Sequence, residues 1–333
     1  MRTKLIGSVQ NDLGRQLNGI IEKAVSRKAS DIHLQEGRDP LFRCGDLLED
    51  AGGVTVEASL LQTWLDTLGP KAEETGFASA AYTWDRGIRC RVHISRELAG
   101  IHAVIRLLYP LADLPPDEDQ PFLNDLGRLK DGLILLCGPT GSGKTTAIWR
   151  ILSAVNEARK CHIITLEEPI EYVLQSKETL ISQREFGRHF SSYEDGLKQS
   201  LRQDPDIILI GEIRDFLTME AALHAAETGH LVLSTLHTRS APQAISRVVG
   251  MSPAGRQADI RCRLALILQA VLAQQGKQEE EGYRIFREIL VVTPAVSQLI
   301  RSGKEYQLPA VMQTGAQFGM RTMAQALQRG RRL

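Results

Sequence analysis

The run Gly138-Pro139-Thr140-Gly141-Ser142-Gly143-Lys144-Thr145-Thr146 stands between an apolar segment, LILLC at 133–137, and a segment of helical pattern, TTAIWRILSAVNEA. A G-x-x-x-x-G-K-[ST] pattern that follows a strand and opens a helix restricts the chain more than any other feature, because it curls backbone N–H groups around phosphate oxygens. Gly138, Gly141 and Gly143 supply the positive φ angles that residues with a β-carbon resist. Lys144 is placed to reach the β- and γ-phosphates, and the Thr145 hydroxyl to ligand Mg²⁺. The helix that follows turns its positive end toward the same anion. The whole run 138–146 is therefore expected to hold a nucleoside triphosphate. Taken alone, the motif admits ATP or GTP, and binding with or without turnover.

Such a loop belongs in an α/β domain, and the surrounding pattern agrees. LILLC (133–137), HIITL (162–166), DIILI (206–210) and LVLST (231–235) are short, nearly continuous apolar runs, the pattern of strands buried on both faces of a parallel sheet. Ahead of them, LADLPPDEDQPF at 111–122 interrupts the apolar patterning with prolines and acids. This predicts a small α+β domain over 1–112, a linker over 113–122 acting as a hinge, and an α/β domain over 123–333 with a mainly parallel sheet and a helical carboxy-terminal part. The stretch AGRQADIRCRLALILQAVLAQQG carries Ile260, Leu264, Ile267, Leu268, Val271 and Leu272 at helical spacing and reads as a core helix without function.

With 40 basic and 40 acidic side chains the formal charge is zero, so no global field draws the chain to nucleic acid. The five cysteines form no C-x-x-C pair, which fits a reducing cytoplasm. No run of eighteen apolar residues suggests a membrane span, MRTKLIGSVQNDLG lacks the apolar stretch of a leader, and the basic end from Arg329 reads as a solvated tail. Any membrane association is expected to go through partners rather than by direct insertion.

A phosphate cradle that turns over its ligand needs carboxylates to hold Mg²⁺, in part through water, and to polarise an attacking water. Two apolar strands deliver them to their carboxy ends, the side on which α/β sheets bind ligands. One is Asp206-Ile-Ile-Leu-Ile-Gly211-Glu212-Ile-Arg214-Asp215, which makes Glu212 a candidate metal residue beside Thr145. The other is Thr165-Leu-Glu167-Glu168-Pro169-Ile-Glu171-Tyr172, whose crowded acids raise one another's pKa in a desolvated cleft unless a metal or an arginine compensates. A third strand is flanked by His230 and His237, one at each end, and only His237 need lie near the phosphate edge.

Taken together, these segments resemble the secretion-ATPase superfamily of type IV pili and type II secretion. GPTGSGKTT resembles its Walker A, ITLEEPIEYV its Asp box, LRQDPDIILIGEIRD its Walker B and AETGHLVLSTLHT its His box. Ala29-Ser-Asp31-Ile-His33-Leu, with Gly37, Pro40, Arg43 and Gly45 after it, resembles the family's amino-terminal domain. The resemblance implies a PAS-like first domain, a RecA-like second domain and a homo-hexamer ring hydrolysing Mg-ATP. Its implied partner is an inner-membrane platform protein of a pilus or secretion machine. It also implies catalytic roles for Glu171, Glu212, His230 and His237, and for Arg89, Arg91 and Arg106 brought from the first domain. A guanidinium suits that last role because it neutralises charge on a transferred phosphoryl group.

The absence of a tetracysteine insertion and the AETGHL wording are most similar to the PilT-like pilus retraction ATPases, so retraction is the leading expectation. Assembly or secretion ATPases, and a regulatory subunit that senses ATP without hydrolysing it, are the alternatives. Two departures stand out: the retraction family's AIRNLIRE motif reads Ala295-Val-Ser-Gln-Leu299-Ile300-Arg301-Ser302, and Glu168 occupies the Asp of the Asp box.

Overall fold

The computed structural model describes residues 12–45, 47–53, 55–68, 76–279 and 282–330. The amino-terminal stretch searched for a leader and the end of the basic tail lie largely outside them. The chain divides into two compact units between Leu114 and Pro115.

The first unit is α+β. Its strands are β1 Asp31–Gln35, β2 Leu41–Cys44, β3 Leu47–Asp50, β4 Phe77–Thr83, β5 Arg89–Glu97 and β6 Gly100–Leu108. They form one antiparallel sheet in the order β3-β2-β1-β6-β5-β4. Helices α1 (Asp12–Ser26) and α2 (Ala58–Leu68) bring Leu17, Ile21, Leu61 and Leu65 into one core with Ile32, Ile94 and Ile105. Side chains alternate along a strand, so Cys90, Val92 and Ile94 of β5 point into this core, while Arg89, Arg91 and His93 point away from it.

The second unit carries a seven-stranded sheet in the order β13-β12-β7-β11-β10-β8-β9. Its strands are β7 Gly132–Cys137, β8 His162–Glu167, β9 Leu180–Glu185, β10 Ile207–Ile210, β11 Leu231–Leu236, β12 Leu268–Glu279 and β13 Gly282–Val291. Pairing is parallel from β12 through to β9, and β12 with β13 forms an antiparallel hairpin on the other edge. The sheet is flanked by α4 (Lys144–Ala158), α5 (Tyr193–Ser200), α6 (Phe216–Glu227), α7 (Ala241–Gly250) and α8 (Gln257–Ile267), after the short entry helix α3 (Gln120–Gly127). The carboxy-terminal helices are α9 (Pro294–Arg301), α10 (Leu308–Thr314) and α11 (Met323–Gly330). Leu133, Leu135, Ile208, Ile210 and Val232 are essentially fully buried. At about 1.5–3 kcal/mol for each such side chain, these strands hold the domain together.

One sequence expectation is overturned here. The apolar stretch read as a single helix is helical only to Ile267; Leu268 turns extended, with φ −68° and ψ 126°, and the chain continues as β12. Val271 and Leu272 are therefore strand residues, paired with Leu135 and Leu136 of β7. A run of apolar residues suits a strand buried on both faces as well as it suits a helix, and the open hydrogen-bonding edge of β7 decides the matter.

The acids of the segment read as a linker are not loose. Asp117 accepts two hydrogen bonds from Arg287, at 2.8 and 2.9 Å, and Asp119 accepts one at 2.8 Å. Arg321 also pairs with Asp119, and Arg150 of α4 donates to the Pro115 carbonyl at 2.5 Å. Burial works against an ionised Asp117, but the Arg287 hydrogen bonds and charge, with help from the Asp119 N–H and Arg150, hold its pKa below the ordinary carboxylate value. Residues 115–122 belong to the second unit.

Candidate nucleotide site at the carboxy edge of the parallel sheet

Four strand ends converge on one edge of the sheet. β7 ends in the glycine loop, whose Gly138, Gly141 and Gly143 have φ of 146°, 80° and 82°. Gly143 stands at the N-cap of α4. Position 138 has no space for a side chain: a β-carbon there would lie 2.3 Å from the Gln274 carbonyl oxygen. At Gly141 a β-carbon would meet nothing within 4 Å, so the requirement there is conformational. The Lys144 ammonium is folded into the curl, donating to the carbonyls of Gly138 at 2.7 Å and Pro139 at 2.9 Å. Burial lowers its pKa, while Glu212, Cys137 and Glu171 pull the other way, which puts both carboxylates within electrostatic reach of the lysine. The Ser142 hydroxyl is buried with no hydrogen-bond partner.

β10 delivers Glu212. Gly211 is clamped between neighbouring strands: its N–H donates to the Leu166 carbonyl at 2.8 Å, and its carbonyl accepts from the Thr235 hydroxyl at 2.7 Å. A β-carbon at 211 would come within 3.2 Å of the Leu166 oxygen, a tight fit at the position where other phosphate-loop proteins carry an acid. Glu212 Oε1 lies 3.2 Å from His237 Nε2, and its Oε2 accepts from Arg214 Nε at 3.0 Å. Arg214 also donates to Glu168 at 3.2 Å, so among the crowded acids this arginine compensates Glu168. The sequence left open whether an arginine or a metal would do so; its i+2 spacing from Glu212 was the available signal.

β8 delivers the second acidic group, through a cis bond between Glu168 and Pro169. Glu167 is buried, and desolvation pushes its pKa up to about 7, although Thr165, Gln183 and the Glu171 N–H all hydrogen-bond to it; the nearby Glu171 charge raises it further. The Tyr172 hydroxyl meets Thr146, and its ring lies 5.9 Å from that of Trp149, which pins the box to the first turns of α4. Asp215 stands apart from this acidic group and caps α6, accepting from the Thr218 N–H at 2.8 Å.

The two histidines separate. His237 follows β11 at the phosphate edge, whereas His230 precedes it, where His230 Nδ1 faces the Ala225 carbonyl at 2.9 Å. The length of β11 keeps them on the order of 20 Å apart within the subunit.

Arg89, Arg91 and Arg106 share the face of the first-unit sheet that points away from its core, Arg91 lying opposite Arg106 in register. Arg106 pairs with Asp31 at 2.8 Å, and Arg89 reaches Thr83 at 3.3 Å. Residues of the β12–β13 hairpin, above all Gln274 and Tyr283, also touch the glycine loop, and no sequence pattern pointed to them.

Known proteins resemble this chain over most of its length. The profile of the family described as type II/IV secretion system protein matches residues 98–331. An uncharacterized protein of Escherichia coli, YggR, is 41% identical over 314 residues, covering 93% of this chain and 96% of that one. The type IV pilus retraction ATPase PilT of Pseudomonas aeruginosa is 38% identical over 90% of this chain and 89% of its own. A crystal structure of the pilus retraction motor PilT with bound ADP superposes with a TM-score of 0.79 at 34% identity, over 93% of this chain and 91% of that one. A small α+β amino-terminal domain followed by a RecA-like domain is thus the architecture present here. The chain belongs to the type II/IV secretion ATPase family and is PilT-like along nearly its whole length.

Proposed function

We propose that this chain is one subunit of a homo-hexameric, Mg-ATP-hydrolysing motor that retracts a type IV pilus. It works in the cytoplasm, at the inner face of the membrane, against a membrane platform protein. The observation that carries the chemistry is a glycine loop at the sheet edge that folds the Lys144 ammonium into its curl, with Glu171 and Glu212 within electrostatic reach. The pilus assignment draws on the 38% identity to the Pseudomonas retraction ATPase over most of both chains.

The donor set suits a Mg-triphosphate. A buried, unpartnered Ser142 hydroxyl and a curl with room for no side chain at 138 make a cradle, and Thr145 and Glu212 offer hard oxygen donors. When bound there, Mg²⁺ neutralises charge on the phosphate oxygens. In this reading the residues 138–146 bind and orient the phosphates and Lys144 neutralises them. Glu171 accepts the proton of the attacking water, and His237 holds Glu212 in place. His230, on the far end of β11, serves a subunit contact, and Arg89, Arg91 and Arg106 stabilise the phosphoryl group.

Steady-state phosphate release tests the scheme: Glu171→Gln and Lys144→Ala should each lower turnover by at least about 100-fold. Unchanged release in a contaminant-free preparation of either variant would sink it. Deletion of the gene tests the direction of the motor. Surplus surface fibres are the expected result, and their loss would instead identify an assembly or secretion motor.

A further inference from the structure

The β12–β13 hairpin meets all three glycines of the phosphate loop, although it lies more than 120 residues further along the chain. Register explains the first meeting: Ala273 of β12 pairs with Cys137, the last residue of β7, so Gln274 falls beside Gly138. The Gln274 side chain is buried, and its amide donates to the Ser142 carbonyl at 3.1 Å. From β13, the Tyr283 hydroxyl donates to the Gly141 carbonyl at 3.0 Å. A β-carbon on Gly143 would lie 3.0 Å from Ile285.

These contacts bear on which way two peptide groups point. A trans peptide directs its C=O and N–H oppositely. Holding the Gly141 and Ser142 carbonyls outward therefore turns the N–H groups of Ser142 and Gly143 into the curl, where the Ser142 N–H donates to the Pro139 carbonyl at 3.2 Å. Glycine flanks both peptides, so little intrinsic barrier opposes a flip, and a flipped peptide would aim a carbonyl oxygen at an anion.

We propose that Gln274 and Tyr283 are positioning residues of the phosphate loop, whose hydrogen bonds hold two of its peptides in the orientation that accepts a nucleotide phosphate. The inference rests on the nucleotide reading of the loop given above. Gly276 has a matching part: a β-carbon there would lie 1.8 Å from the Tyr283 hydroxyl oxygen, so only a glycine lets the phenol cross its own hairpin to the loop. Because β13 alternates, Tyr283 and Ile285 share a face with Arg287, whose partners Asp117 and Asp119 fix the start of the second unit. One strand face thus joins the phosphate loop to the entry segment.

The test uses the full chain with Tyr283→Phe, Gln274→Leu and Gly276→Ala, titrated with Mg-ATP and assayed for phosphate release. One lost hydrogen bond corresponds to roughly a 3- to 10-fold weaker Kd. Tyr283→Phe and Gly276→Ala should each show that change, and Gln274→Leu a larger one. KM should rise by more than kcat falls, a split that a merely structural role would not produce. Should Gln274→Leu fail to fold, the other two variants decide the matter, since Tyr283 is half exposed and Gly276 lies outside the positive-φ region. If wild type binds Mg-ATP and these variants bind it within about 2-fold as well, the positioning role is wrong and the nucleotide reading survives. If wild type does not bind Mg-ATP, the nucleotide reading fails and takes this inference with it.

Discussion

His237 Nε2 lies 3.2 Å from Glu212 Oε1, across the tips of two neighbouring parallel strands. The register of β10 on β11 brings the two residues together, and Arg214 occupies the carboxylate's other oxygen. A carboxylate held from both sides has few orientations open to it, which is what a metal or water ligand needs. We expect His237→Ala to lower kcat by about 10- to 100-fold, with nucleotide affinity changed far less. Single-turnover and binding measurements on the variant check this, and an unchanged kcat would remove His237 from the site.

Glu167 carries a built-in pH dependence. Its pKa rises from 4.5 to about 7 on folding because burial disfavours the carboxylate. The folded state therefore keeps a proton that the unfolded state has released. Stability falls as pH climbs from 4.5 towards 7, and the full penalty, on the order of 3 kcal/mol, stands above that. Glu167→Gln should stabilise the protein at about pH 8 and have little effect near pH 4, as read from denaturant melts at the two values. A stabilisation independent of pH would show that folding leaves the Glu167 pKa at its ordinary value.

The Asp117–Arg287 pair should behave in the opposite sense. The folded pKa of Asp117 lies below the ordinary 3.8, so the stability it contributes is complete above that value and is lost as pH falls through the folded one. Arg287→Met takes the chief partner from two partly buried carboxylates, leaving Asp119 its pair with Arg321, and should cost about 1.5–3 kcal/mol at neutral pH. Adding Asp117→Asn and Asp119→Asn to Arg287→Met should recover much of that cost. Equal losses in the single and triple variants would show that packing of the Arg287 stem, not charge, is what matters.

Two glycines of positive φ should respond differently to alanine. At Gly187 a β-carbon meets nothing within 4 Å, so Gly187→Ala should cost only the left-handed conformation, about 1–2 kcal/mol. At Gly138 it would strike the Gln274 backbone, and Gly138→Ala should lose nucleotide binding as well as stability. Calorimetric titration with Mg-ATP separates the two, and intact binding in Gly138→Ala would mean that the hairpin can give way.

Much of this arrangement is legible in the residues. The apolar runs around 133–137, 162–166, 206–210 and 231–235 appear as β7, β8, β10 and β11 within a residue or two, because strands covered on both faces leave little room for another pattern. The opposite placement of His230 and His237 follows from strand length alone. The stretch after Ala254 misleads because its apolar spacing satisfies a helix and a buried strand equally, and only the free edge of β7 distinguishes them. The acids at 117–119 read as part of a hinge linker because the partners of Asp117 and Asp119, Arg287 and Arg321, lie about 170 and 200 residues away.

By itself the sequence determined the chemistry that follows each strand: the glycine curl after β7, the acids after β8 and β10, and the histidine after β11. Those are local properties, set by side-chain type and by a period that the chain carries in order. Tertiary structure alone decided what holds these groups: Arg214 between two carboxylates, Glu167 stripped of water, and the hairpin clasping the glycine loop. Desolvation and hydrogen bonding depend on which surfaces meet, and no spacing along a single chain encodes that directly.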